Sequence, residues 1–160
     1  MAREDIGDLI AKLGAEIGFP DLALDEGGFV AIVNDDTTVL NIDYYEEEQA
    51  IVMYATVAEL TDETRFDIYE EMLMANFMWK ETLGATLCIS PTTEHALLMA
   101  SIETDDLDYQ TFSKFYQNVH RLTWAFSDRF KKIAGDESAD EERVEDPASH
   151  PTAPLPSSFA

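Results

Sequence analysis

The apolar residues of the chain fall into eight segments whose spacing separates helices from strands. Ile6, Leu9, Ile10, Leu13 and Ile17 follow the i, i+3, i+4, i+7, i+11 spacing of one helical face, and Gly18 with Pro20 supplies the stop. After a link that ends in Gly27-Gly28, three strand candidates follow. Phe29–Asn34 is apolar almost throughout, which predicts cover on both faces. Thr38–Tyr45 alternates, with Leu40, Ile42 and Tyr44 opposed to Asn41 and Asp43. Gln49–Val57 is β-branched and aromatic. The short polar joins Asp35-Asp36 and Glu46-Glu47-Glu48 make these three an antiparallel meander.

A second helix is predicted from Asp62 to Trp79, and it carries two apolar stripes. Phe66, Tyr69, Leu73 and Phe77 share one arc; Ile68, Met72, Ala75 and Trp79 share another, nearly opposite. A helix on one sheet needs one stripe, so two stripes predict two covers, one of them a second copy of the chain. The expected dimer contact is Ile68, Met72, Ala75 and Trp79. Gly84–Ser90 and His95–Ile102 read as a hairpin. A third helix spans Asp108 to Ile133, with Asp108 as its cap and Phe112, Phe115, Tyr116, Val119, Leu122, Phe126, Phe130 and Ile133 on one face. Trp124 lies on the far side among polar neighbours, and Arg129, Lys131 and Lys132 are placed to complement the helix dipole. The fold class is therefore α+β: a five-stranded antiparallel sheet with three helices, in the order α-β-β-β-α-β-β-α, forming a homodimer. Residues 1–134 make the folded domain. Residues 135–160 form an acidic, Pro- and Ser-containing tail with little to bury, expected to be disordered.

Charge narrows the partners. The chain of 160 residues carries 33 acids against 10 bases, a net −23. Only −6 of this belongs to residues from Gly135 onward, so the domain itself is acidic. Such a surface repels nucleic acid and anionic lipid, and no apolar run is long enough for membrane insertion. A basic or apolar polypeptide fits better. The lone Cys88 cannot form an internal disulfide, which suits a reducing compartment.

Chemistry is sparse. His95, His120 and His150 have no second ligand at helical spacing, so no metal site is expected. Asp105, Asp106 and Asp108 lack the glycine and distal glutamate of a calcium loop. Gly27-Gly28 sits between acids and cannot cradle phosphate. Cys88 alternates with Leu87 and Ile89 in a strand and reads as a packing thiol. The expectation is a protein without cofactor or catalysis.

Several strings carry a family resemblance. They are Ile17-Gly18-Phe19-Pro20-Asp21-Leu22-Ala23-Leu24-Asp25-Glu26-Gly27, Leu73-Met74-Ala75-Asn76-Phe77, Gly84-Ala85-Thr86-Leu87-Cys88-Ile89, and Trp124 in the aromatic third helix. In this order, over roughly residues 3 to 133, the chain resembles the class I type III secretion chaperones, the CesT-like (Tir chaperone) family. The resemblance implies a cytoplasmic bacterial homodimer with the second helix at its two-fold axis. It implies a chaperone that holds N-terminal segments of secreted effectors extended for export. An export-apparatus ATPase is a further candidate partner. For client binding the expected residues are Phe29, Ala31, Val33, Val52 and Tyr54, with an exposed strand edge able to add a client strand. The alternatives are a regulator of the same fold that sequesters a secretion regulator, a small acidic hydrolase, and a monomeric adaptor working through its tail.

Overall fold

A computed structural model describes residues 2–34 and 38–140. Its elements are α1 (Arg3–Ile17), β1 (Phe29–Asn34), β2 (Thr38–Tyr45), β3 (Ala50–Ala58), α2 (Arg65–Asn76), a 3-10 turn Phe77–Trp79, β4 (Thr86–Ile89), β5 (Ala96–Glu103) and α3 (Tyr109–Asp140). This is the predicted order. The turn expected at Asp35-Asp36 lies outside the described residues.

The five strands form one antiparallel sheet in the order β1-β2-β3-β5-β4. The meander supplies three neighbouring strands; α2 then carries the chain over, so that β5 pairs with β3 and β4 becomes an edge. All three helices cover the same face. There Val30, Ile32, Leu40, Ile42, Tyr44, Ile51, Met53, Ala55, Leu87, Leu98 and Ala100 are buried, each on an alternate position of its strand. Ile6, Ile10 and Leu13 of α1 and Phe112, Tyr116, Val119, Leu122, Phe126 and Phe130 of α3 complete that core.

Local chemistry sets the element ends. Gly18 caps α1 in the left-handed region at φ 88°, a conformation that costs a side chain but not glycine. Gly28 sits at φ 87° as β1 begins. A Cβ there would lie 2.8 Å from the Tyr44 carbonyl oxygen, so the link can enter the sheet only through glycine. Asp108 accepts the Thr111 N–H at 2.7 Å and caps α3 as expected. Backbone and hydroxyl bonds from Thr111 hold its carboxyl below the usual carboxylate range.

Two expectations need correction. α3 runs to Asp140, past the helix end expected at Ile133, because a helix already nucleated by a packed face propagates one bond at a time even through poor helix formers such as Gly135 and Asp136. The bases near its end therefore do not sit at a terminus: Arg129 pairs with Glu71 of α2 and, at 2.6 Å, with Glu81. β1 is covered on one face only, since Ala31 and Val33 are exposed. Its apolar composition does not reflect a second layer within this chain.

Candidate functional site

The face of the sheet turned away from the helices is open, and the register arranges its side chains in rows. One row crosses Phe29, Asp43, Val52 and Ser101; the next Ala31, Asn41, Tyr54, Met99 and Thr86; beyond these Val33 faces Val39, and Thr56 faces Leu97, which faces Cys88. All five residues expected to bind client, Phe29, Ala31, Val33, Val52 and Tyr54, are on this face. They occupy one corner of it, across β1 and β3. Val33, Val39 and Met99 are exposed, and Phe29, Val52, Tyr54 and Leu97 are half-buried. The result is an apolar strip, not a pocket.

Its polar members are fixed. The Tyr54 phenol is pushed up to about 12, first by burial and then by its hydrogen bond and proximity to Asp43. It therefore stays a neutral hydroxyl in any physiological setting. Asn41 Nδ2 donates to the Tyr54 carbonyl at 3.4 Å.

The two sheet edges differ. β1 has a neighbour on one side only. Its first residue is closed off: Asp25 Oδ1 accepts from the Phe29 N–H at 2.9 Å, and the Asp25 N–H donates to the Phe29 carbonyl at 2.8 Å. By the alternation of an antiparallel ladder, Ala31 and Val33 turn their backbone groups to that same outer side. At the other edge Asn76 closes β4. Its Nδ2 donates to the Leu87 carbonyl and its Oδ1 accepts the Leu87 N–H, both at 2.9 Å. β1 is thus the edge left for an added strand.

A second apolar surface lies on α2 and the turn after it. Of the residues expected at a dimer contact, Ile68, Met72 and Ala75 are buried in the chain's own core, while Trp79 is 57 % exposed. The opposite stripe is the one left uncovered: Leu73 is 73 % and Phe77 76 % exposed, beside Phe66, Met74, Met78 and Leu83. Both stripes are comparably apolar, so spacing could not rank them. Two polar pins decide. Glu71 and Asn76 flank the Ile68–Met72–Ala75 stripe at about 60° and about 80°, and their bonds to Arg129 and Leu87 roll that stripe inward. The segment beyond is held in unusual backbone geometry, with Met78, Trp79 and Leu83 all at positive φ between 51° and 59°. Asn76, a polar residue set between the apolar Ala75 and Phe77 at the end of α2, was the available signal for this arrangement.

No catalytic constellation assembles among the described residues. Among the described residues no group of three His, Cys, Asp or Glu could hold a metal ion. A cleft of about 240 Å³ beneath β5 and α3 is lined by Leu83, Ala85, Ile102, Phe115 and Leu122, among others, and holds no ionisable group. A shallower groove between α1 and α3 contains Glu16, Tyr109, Ser113 and Lys114. There the Tyr109 hydroxyl already donates to Glu16, and the groove has no nucleophile paired with a base. Burial pushes the half-buried Cys88 thiol up, away from reactivity.

The fold is shared with chains of solved complexes. A chain of the ExsC–ExsE complex aligns at TM-score 0.69 and 20% identity, over 78% of this chain and 92% of that one. A chain of the HopA1–SchA chaperone–effector complex aligns at 0.64 and 12%, over 79% and 95%. A chain of the ExoU–SpcU heterodimer from the type III secretion system of Pseudomonas aeruginosa aligns at 0.58 and 12%, over 80% and 96%. The architecture is that of the type III secretion chaperones. No curated protein matches the sequence significantly. The family model for the Tir chaperone protein (CesT) family, however, matches residues 8–123, and the chain belongs to that family. The family is a non-catalytic one. Among the described residues no helix is long and apolar enough to cross a membrane.

Proposed function

We propose that this chain is a cytoplasmic chaperone that binds N-terminal segments of type III secretion effectors and keeps them extended. The observation that carries this reading is the open β1 edge beside an apolar strip. An extended segment pairs its backbone with Ala31 and Val33 and sets alternate side chains beside Phe29, Ala31 and Val33, while Val52 and Tyr54, two strands further in, take apolar side chains from the client chain that continues over the open face. Acids beside the strip, Asp43 and Glu46-Glu47-Glu48, favour a basic client and speed its arrival more than they tighten the complex.

The working unit in this reading is a homodimer built on the exposed stripe of α2, with Leu73 and Phe77 at its centre and Trp79 at its margin. Seven large apolar side chains exposed within 18 residues are more than a free monomer ordinarily leaves to water. Ile68, Met72 and Ala75 support this contact from beneath instead of forming it.

The test is native mass spectrometry of the tagged full chain purified from secretion-competent cells, with the bound polypeptide mapped by limited proteolysis. The expected species is two copies of the chain with one effector, protected over a segment near the effector's N-terminus. Ala31→Pro, which removes a donor from the open edge and fits an edge strand, is expected to lose the effector while remaining dimeric. Capture of a transcriptional regulator in place of an effector would move the reading to sequestration. Undiminished effector binding by Ala31→Pro would remove the strand-addition argument.

A further inference from the structure

α3 concentrates the bases of an acidic molecule. Over Tyr109–Asp140 it holds five of the chain's ten bases, Lys114, Arg121, Arg129, Lys131 and Lys132, against four acids, of which Asp136, Glu137 and Asp140 fall in its last turns and only Asp128 lies among the bases. Arg129 is committed to Glu71 and Glu81. The other four share the solvent face of the helix, and Lys132 pairs with Asp128 at 2.7 Å. Lys114, Arg121 and Lys131 make no ion pair among the described residues. In their midst Trp124 leaves 66 % of its surface to water on a helix whose other large aromatics are largely covered. A bare indole on the same solvent face as Arg121, one turn before it, and Lys131, two turns after it, suits a ligand that is both acidic and apolar.

We infer that this face is the docking surface for the chain's own C-terminal segment, residues 141–160. That segment has the complementary chemistry: Glu141, Glu142, Glu145 and Asp146, then Pro147, Pro151, Pro154 and Pro156 with Leu155 and Phe159. The order matches as well as the composition. Going back along α3 from Asp140, Lys132 and Lys131 come first and Trp124 second; going forward along the segment, the acids come first and the prolines second. Proline-rich chain packs on aromatic side chains at low entropic cost. Reach is ample. Trp124 lies about 24 Å back from Asp140 at helical rise, whereas the 20 residues beyond Asp140 span up to about 66 Å. Tethering supplies an effective concentration in the millimolar range, so a site of millimolar affinity is about half filled.

The test uses the full chain and the indole N–H signals of its two tryptophans in nitrogen-15 NMR spectra, with Trp124→Phe to assign them. The comparison chain is full length and carries Glu141→Gln, Glu142→Gln, Glu145→Gln and Asp146→Asn. At about 0.1 M salt, the Trp124 indole and the Arg121 and Lys131 amides of the two chains are expected to differ, and the Trp79 indole to coincide. Raising salt to about 1 M shortens the screening length from about 10 Å to about 3 Å and should bring the native signals onto those of the comparison chain. Coincident signals at low salt would overturn the inference. So would differences that grow with protein concentration, since these place the segment on another copy. Polyglutamate binding to Trp124 equally in both chains would assign the face to a separate acidic protein instead.

Discussion

Two neighbouring residues on α2 should respond oppositely to the same substitution. Met72 is buried in the core and Leu73 is exposed, so a glutamate at 72 must enter the core while one at 73 stays in water. Removing the Met72 side chain from the core costs about 2–5 kcal/mol, and the buried carboxylate adds to it. That approaches the whole stability of about 5–15 kcal/mol for a domain, so Met72→Glu should be largely unfolded or strongly destabilised. Leu73→Glu alters the protomer by no more than about 0.5 kcal/mol, as surface substitutions do. In a two-fold contact, however, it removes two leucines, each worth about 1.5–3 kcal/mol on full burial. The loss of about 3–6 kcal/mol weakens dimerisation by roughly 10² to 10⁴. Sedimentation velocity at micromolar loading with parallel thermal melts separates the cases. The expected Leu73→Glu protein is a folded monomer, and the expected Met72→Glu protein melts early or not cooperatively. A Leu73→Glu chain that still sediments as a dimer would refute the placement of the contact.

Other outcomes follow from single contacts. Asn76→Ala strips two hydrogen bonds from Leu87 and should cost about 2 kcal/mol, seen as a Tm lower by about 4–8 °C. Gly28→Ala combines a positive φ with a Cβ 2.8 Å from the Tyr44 oxygen and should destabilise by more than about 1 kcal/mol in urea unfolding. The depressed Asp108 carboxyl contributes stability that is fully present above the ordinary carboxylate range, near pH 4, and lost as pH falls through its folded value. Asp108→Asn should flatten the acid limb of the stability profile followed by circular dichroism. Ultraviolet titration should show one tyrosine ionising only near pH 12, and Tyr54→Phe should remove that step.

Most of the fold was legible because each core face repeats with its own period. Leu40, Ile42 and Tyr44 mark a strand, and Phe112, Tyr116, Val119 and Phe126 a helix, without reference to anything distant. What spacing cannot carry is the rotation of an element apolar on two sides. For α2 that depended on Asn76 meeting a strand edge 11 residues later and on Glu71 meeting Arg129 on α3. The corner formed by Phe29, Ala31, Val33, Val52 and Tyr54 was legible for the opposite reason. Alternation within β1 and β3 puts these residues on the side away from Val30, Ile32, Ile51 and Met53, and the meander makes the strands near neighbours. That β1 lacks a second cover could not be read from an apolar run, which looks the same whether a helix or a visiting chain lies over it.

The open β1 edge brings a hazard that the protein's acidity answers. An unpaired, apolar strand edge is a template for any other such edge, and the most abundant one nearby belongs to another copy of the same chain. Joining two copies edge to edge brings together two bodies of −23, with Asp43 and the Glu46–Glu48 run close to the join. A cationic segment meets no such barrier. In the proposed reading, charge that looks like mere solubility works as a gatekeeper, refusing self and admitting a client at the same strand. It follows that lowering the pH toward the isoelectric point, or adding salt, should turn this edge from selective to sticky, with self-assembly rising before the fold is lost.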